Sequence, residues 1–195
     1  SDPQVRHQGS TGGVLTALGQ FLVETGEVEV ILHAKASERD PTFGDRALSR
    51  TSAEVLPFRC KVCPDGIGEA ADIAVSDTWP GGSPDPSQEA DDLGTNALVV
   101  RTARGQNLVE RAVQAGFLTL TGDVDPRYMD SVQPHQRNKK YAVAARHNGL
   151  RAEGKTVPRT ARLRLDALHA DLDPSIARSQ YEGTRARVAA GKASE

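Results

Sequence analysis

Apolar positions along the chain alternate between two periods. Val14, Leu18, Phe21 and Leu22 recur at helical spacing, with Ala17 on the same face. Ser10 or Thr11 can cap the start of that helix and Gly26 can close its end. Val28, Val30, Leu32 and Ala34 then alternate, which predicts a strand. Residues 37–57 are polar and irregular. Ala71 to Ser76 has the look of a short buried strand, and Asn96 to Arg101 is a second apolar run of strand type. Leu108, Val109, Ala112 and Val113 share one helical face within Gly105–Ala115, and Gly116 closes it. Leu118 and Leu120 alternate after it. Pro134 can open a further helix running to about His147. Gly149 to Pro158 reads as a linker. Ala161, Leu165, Leu168 and Leu172 mark one helix of the tail, and Asp173-Pro174 starts the last one.

The order helix, strand, strand, strand, helix, strand, then helices points to α/β or α+β. The expected architecture is a small mixed sheet with flanking helices, ending in a helical tail over 151–195. Pro80 to Asp92, rich in Gly, Pro, Ser and acids, predicts a loop.

Composition narrows the class. The 195 residues suffice for one core or two small ones. Only 4% are aromatic, so large buried anchors are scarce. A net charge of −2 gives no global field that favours a polyanion. The eight bases from Lys155 to Glu195 are interrupted by five acids, which fits a solvated helical tail better than a nucleic-acid arm. Two Cys do not make a secreted disulfide scaffold. No apolar stretch approaches the roughly 20 residues of a membrane span. The start of the chain has neither a basic region nor an apolar signal core, so a reducing cytoplasm is the expected setting.

Four segments could carry chemistry. Arg59-Cys60-Lys61-Val62-Cys63-Pro64-Asp65-Gly66 brings two thiolates to a spacing that can face one metal or cluster. Arg59 and Lys61 offset the negative charge of such a site. A Gly/Pro-marked loop follows, not the helix that a thioredoxin-like dithiol needs. Zinc would require two further ligands, with His33, His135 and His147 at hand but at no motif spacing. A redox dithiol and two plain thiols remain open. Arg6-His7-Gln8-Gly9-Ser10-Thr11-Gly12-Gly13 puts glycines before a helix, where backbone N–H groups can approach an anion. An ordinary capped helix has the same pattern. Ala71–Trp79 is a strand that ends in Asp77 and the single Trp. Gln133–Lys140 is a basic helix start, either a solvated face or a surface for phosphates or an acidic partner.

Taken in order, these segments resemble the beta subunits of coenzyme F420 hydrogenase/dehydrogenase, a family with chlorophyll-pigment reductases among its relatives. The matching stretches are Ser10–Val14, Arg59–Asp65, Ala71–Ala74 with Asp77 and Trp79, and Gln133–Gln136 with Lys139-Lys140. The resemblance covers most of residues 1–150. It implies an oxidoreductase holding FAD and a [4Fe-4S] cluster, exchanging hydride at the flavin and single electrons at the cluster. It implies that Cys60 and Cys63 are cluster ligands and that Ser10, Thr11, Gly12, Gly13 and Asp77 lie at the flavin. Its partners would be a redox protein or a small hydride carrier such as coenzyme F420 or a chlorophyll-type pigment, with room for an oligomer and with neither nucleic acid nor membrane.

Against that pattern, Leu56 runs straight into Pro57, where relatives carry a long segment with further Cys. The resemblance therefore implies an internal deletion between 56 and 57 and at most two cluster ligands in this chain. The missing ligands would be lost or supplied by another chain.

Overall fold

The computed structural model describes residues 13–32, 58–79 and 94–194. The described residues fall into two compact units. One holds 13–32, 67–79 and 94–137; the other holds 58–66 and 138–194.

In the first unit, α1 (Val14–Glu24) turns Leu18 and Phe21 inward, as the periodicity predicts. Its last turn is closed by the N–H of Thr25 on the Phe21 carbonyl and that of Gly26 on Val23, with Gly26 at φ 71°. Two strands follow, β1 (Ile73–Asp77) and β2 (Asn96–Val100). They pair antiparallel, with Ile73 opposite Val100 and Asp77 opposite Asn96. Next, α3 (Ala103–Gln114) starts at Thr102, whose hydroxyl accepts the Gly105 N–H at 3.1 Å. Leu18, Phe21, Ala112 and Leu118 form the core of this unit, with Ile73 and Leu98 packed against them from the strands. Phe21 meets Phe117 edge to face, with centroids 5.4 Å apart.

The chain then enters α4 (Pro126–Val132), capped by the Asp125 carboxylate on the Arg127 N–H at 2.8 Å. Periodicity does not predict this helix, because seven residues are too few to show it. Its start signal, an acid before a proline, stands in the sequence.

The last helices are α5 (Pro134–Ala152), α6 (Leu165–Ala170) and α7 (Pro174–Ala189), followed by a 3-10 turn at Lys192–Ser194. The division between the units falls inside α5. In the second unit, the short helix α2 (Phe58–Lys61) precedes the Cys loop. There α5 buries Ala142, Val143, Ala144, Ala145 and Leu150. It approaches α7 closely at Gly149, where a Cβ would come within 2.7 Å of the Tyr181 carbonyl.

The fold is thus the expected α/β mixture, a small sheet among helices with a helical C-terminal segment. Some elements differ from expectation. Residues 28–32 form no strand, and Val30 and Leu32 are exposed. Alternation makes a strand only where a neighbour supplies a ladder, and no described strand pairs with this run. Positions 33 and 34 of that expectation lie outside the described residues. Leu118 and Leu120 likewise form no strand. Leu118 is instead turned onto the core by the Leu118 N–H to Ala112 carbonyl bond. Helix α5 continues through Gly149 to Ala152, into the expected linker. The loop expected over 80–92, the irregular stretch 37–57 and the implied deletion at 56–57 also lie outside the described residues.

Candidate functional site

The Cys loop is built by α5 of its own unit. Cys60 sits on the last turn of α2, and Cys63 follows it. Both are half-buried and reduced. Three side chains of α5 reach the carbonyls around them. Arg146 donates from Nη1 to the Lys61 carbonyl at 2.6 Å. His147 donates from Nε2 to the Val62 carbonyl at 2.9 Å, since a carbonyl can only accept. Lys140, buried at 5% exposure, donates from Nζ to the Pro64 carbonyl at 3.1 Å. The stem of Lys139 lies beside Gly66, where a Cβ would come within 3.1 Å of Nζ.

These bonds satisfy loop carbonyls that burial would otherwise leave unpaired. They also bring the charged groups of Arg146 and Lys140 to the backbone of the Cys loop. Burial pushes the His147 imidazole below its ordinary range; the bond to Val62 opposes the shift, and the charge of Arg151 adds to it. His147 is therefore neutral near pH 7. Burial, and then the neighbouring charge of Arg187, also press Arg146 downward, but its guanidinium stays protonated. Arg146 is further held by Gln180, which accepts from Nε at 2.9 Å.

The expected flavin residues divide. Ser10, Thr11 and Gly12 lie outside the described residues. Gly13 precedes α1 at φ 67°, a left-handed conformation that suits glycine. The Val14 N–H points to Asn96 Oδ1 at 3.4 Å, and Asn96 Nδ2 points to Asp77 Oδ1 at the same distance. Asn96 thus links the start of α1 to the end of β1. Gln133 donates from Nε2 to the Asp77 carbonyl at 3.0 Å, and the Tyr128 hydroxyl donates to the Thr78 carbonyl at 3.2 Å. The structure brings Gly13 and Asp77 together in one unit. Cys60 and Cys63 belong to the other.

Gln133–Lys140, expected as a basic helix start, is partly committed. Gln133 braces Asp77 and Lys140 braces the Cys loop, while His135 is exposed. Sequence reasoning misses Arg146 and Asn96 as site residues. Each acts on a segment more than 80 residues away, and the local sequence holds no trace of that distance.

Two thiolates supply half of the four positions that a [4Fe-4S] cluster usually takes from protein. Among the described residues, no group of three or more His, Cys, Asp or Glu side chains is placed to hold a metal ion. The described residues therefore do not complete a cluster site. Gly13 alone represents the implied flavin turn, and its neighbouring N–H is directed to Asn96.

Comparison with known families gives a match over more than half of the chain. The family of the C terminus of the coenzyme F420 hydrogenase/dehydrogenase beta chain matches residues 14–125. Cys60, Cys63 and Asp77 lie inside that stretch, and Gly13 immediately precedes it. No curated protein and no solved structure matches significantly.

Proposed function

Because the chain belongs to the coenzyme F420 hydrogenase/dehydrogenase beta-subunit family, we propose that it serves as a flavin- and iron-sulfur-dependent oxidoreductase subunit. Membership points to oxidoreductase-type function in a complex with redox partners. The finer reading assigns Cys60 and Cys63 as two ligands of a [4Fe-4S] cluster. It sets Ser10, Thr11, Gly12, Gly13 and Asp77 at FAD. The hydride carrier would be coenzyme F420 or a chlorophyll-type pigment, and the setting the cytoplasm. Among the described residues, no helix is long and apolar enough to cross a membrane.

The family match across 14–125 carries this reading. Bound flavin would supply hydride exchange. The tasks left to this chain are positional. Arg146, His147 and Lys140 fix the backbone on both sides of Cys63, and Asn96 fixes the start of α1 against Asp77. This sequence has two Cys, and on this reading the remaining cluster ligands are supplied by another chain.

The visible spectrum of the natively purified protein, with iron and sulfide counts after anaerobic reconstitution, tests the proposal. Flavin bands, with cluster absorbance that appears only when a partner is added, are the expected result. A colourless, iron-free preparation in the presence of its redox partners would overturn it. That outcome would favour a second reading, a catalytically inactive binding paralogue, which is consistent with the unfilled ligand set among the described residues.

A further inference from the structure

A cleft of about 330 Å³ lies within the second unit, between the C-terminal half of α5 and the segment leading into α6. Its wall carries Arg151, Arg162 and Arg164, together with His147 and His169. Asp166 is the one acid among the lining residues. Three guanidinium charges against one carboxylate give the wall a formal charge of +2, imidazoles not counted. Among the described residues, no carboxylate lies within ion-pair range of any of the three arginines. Arg151 donates from Nη1 to the Asn148 side-chain oxygen at 2.9 Å.

Arg151, Arg162 and Arg164 are all exposed, and two further observations bear on this cleft. Arg162 and Arg164 stand at φ 63° and 53° and are the positive-φ residues other than glycine among those described. That conformation is unfavourable for a side chain with a Cβ, and both residues are exposed. Here both belong to the wall of one cleft. In addition, Nδ1 of His169 is buried without a hydrogen-bond partner among the described residues. Such an atom takes its partner from water or from a bound molecule.

We propose that this cleft binds a small molecule bearing a phosphate group, held by Arg151, Arg162 and Arg164. Guanidinium forks match phosphate oxygens in pairs, and a dianion relieves the mutual repulsion of three cations better than a single carboxylate can. The volume suits a small ligand, since typical small-molecule sites begin at about 300 Å³. Leu163 and Leu165 add apolar wall for the organic part of that molecule. No Phe, Tyr or Trp lines the cleft, so the large aromatic platforms on which a single strand stacks are absent from its described lining. The site does not depend on the redox reading above.

Inorganic phosphate and pyrophosphate are the probes, tested by thermal unfolding and titration calorimetry on the whole chain. Acetate, citrate and chloride at matched ionic strength are the controls. At a hundredfold excess over Kd, phosphate should raise Tm by roughly 5 to 10 °C, and acetate should not. The double variant Arg162→Gly/Arg164→Gly should bind at least tenfold more weakly. Its Tm without ligand should be unchanged or higher, because glycine takes positive φ without strain. Arg151→Met, on the regular helix, gives an independent loss of affinity if the double variant misfolds. Absence of any response up to about 10 mM, where even a millimolar Kd is visible, overturns the proposal. So does an equal response to acetate or citrate, or a phosphate response that survives both sets of substitutions.

Discussion

His147 holds the Val62 carbonyl at 2.9 Å, and Val62 stands between the two cysteines. A buried imidazole on α5 thereby fixes the peptide that sets the spacing of Cys60 and Cys63. The bond needs only the Nε2 proton, so the neutral ring suffices.

This bond carries a pH dependence. The folded-state pKa of His147 is depressed, chiefly by burial, so the unfolded chain binds a proton at higher pH than the folded one. The contribution is whole above the unfolded value of about 6.5 and is lost as pH falls from there through the folded pKa. Chemical denaturation from pH 8 down to 5 should show that loss. In His147→Gln, whose amide can still donate to Val62, the slope between pH 6.5 and 5 should flatten. An unchanged slope would mean that other groups carry it.

Arg146 and Lys140 should control local opening of the Cys loop. Replacing either with Met leaves a loop carbonyl, of Lys61 or of Pro64, without its charged donor. Each loss should cost about 1 to 3 kcal/mol. Because the bonds are local, the rate at which a thiol reagent labels Cys60 and Cys63 in native buffer should rise by more than the change in global stability accounts for. Equal labelling in the variants and the parent would show that the clamp does not restrain the thiols.

Gly105 gives a purely steric prediction. A Cβ there would come within 2.5 Å of the Asp72 carbonyl and 3.0 Å of an Ile73 side-chain carbon. A backbone oxygen cannot rotate out of the way. Gly105→Ala should therefore force α3 away from β1 and cost about 1 to 3 kcal/mol, despite the better helix propensity of alanine. A gain in Tm would show that the helix sits farther from the strand.

The sequence reveals elements more readily than their contacts. The apolar stripe of Leu18 and Phe21 predicts α1 and its buried face, because a helix face depends on spacing alone. Thr102 and Asp173 cap their helices, as their residue types allow. By contrast, Val28–Leu32 has the alternation of a strand and lacks the described partner that would make it one. The Cys pair and the helix start at Pro134 both stand out in the sequence, but their connection through Lys140 does not. A bond across 76 residues follows from how the chain turns, and no local window contains it. Asn96 shows the same limit. It reads as the first residue of a strand, yet it joins the start of α1 to Asp77.

Glu27 and Arg111 supply the last prediction. Arg111 binds both carboxylate oxygens of Glu27 and lies over the Phe21 ring at 5.4 Å. The hydrogen bonds from Arg111 hold the Glu27 carboxyl below its ordinary range. A depressed carboxyl contributes fully above its unfolded pKa, and the contribution fades as pH drops through the folded value. The pair is exposed, so salt should weaken it as well. The guanidinium also covers an aromatic face, and that contact is independent of the state of Glu27. Arg111→Lys keeps the charge and gives up the paired hydrogen bonds and the flat stacking surface. A double-mutant cycle of Glu27→Gln with Arg111→Lys should show coupling at pH 7 that shrinks at pH 3 and in 1 M salt. Arg111→Lys alone should still destabilise at pH 3, through Phe21. If the single variant is neutral there, the flat guanidinium adds nothing over an ammonium at the Phe21 ring, and the paired bonds to the carboxylate account for the preference for Arg111.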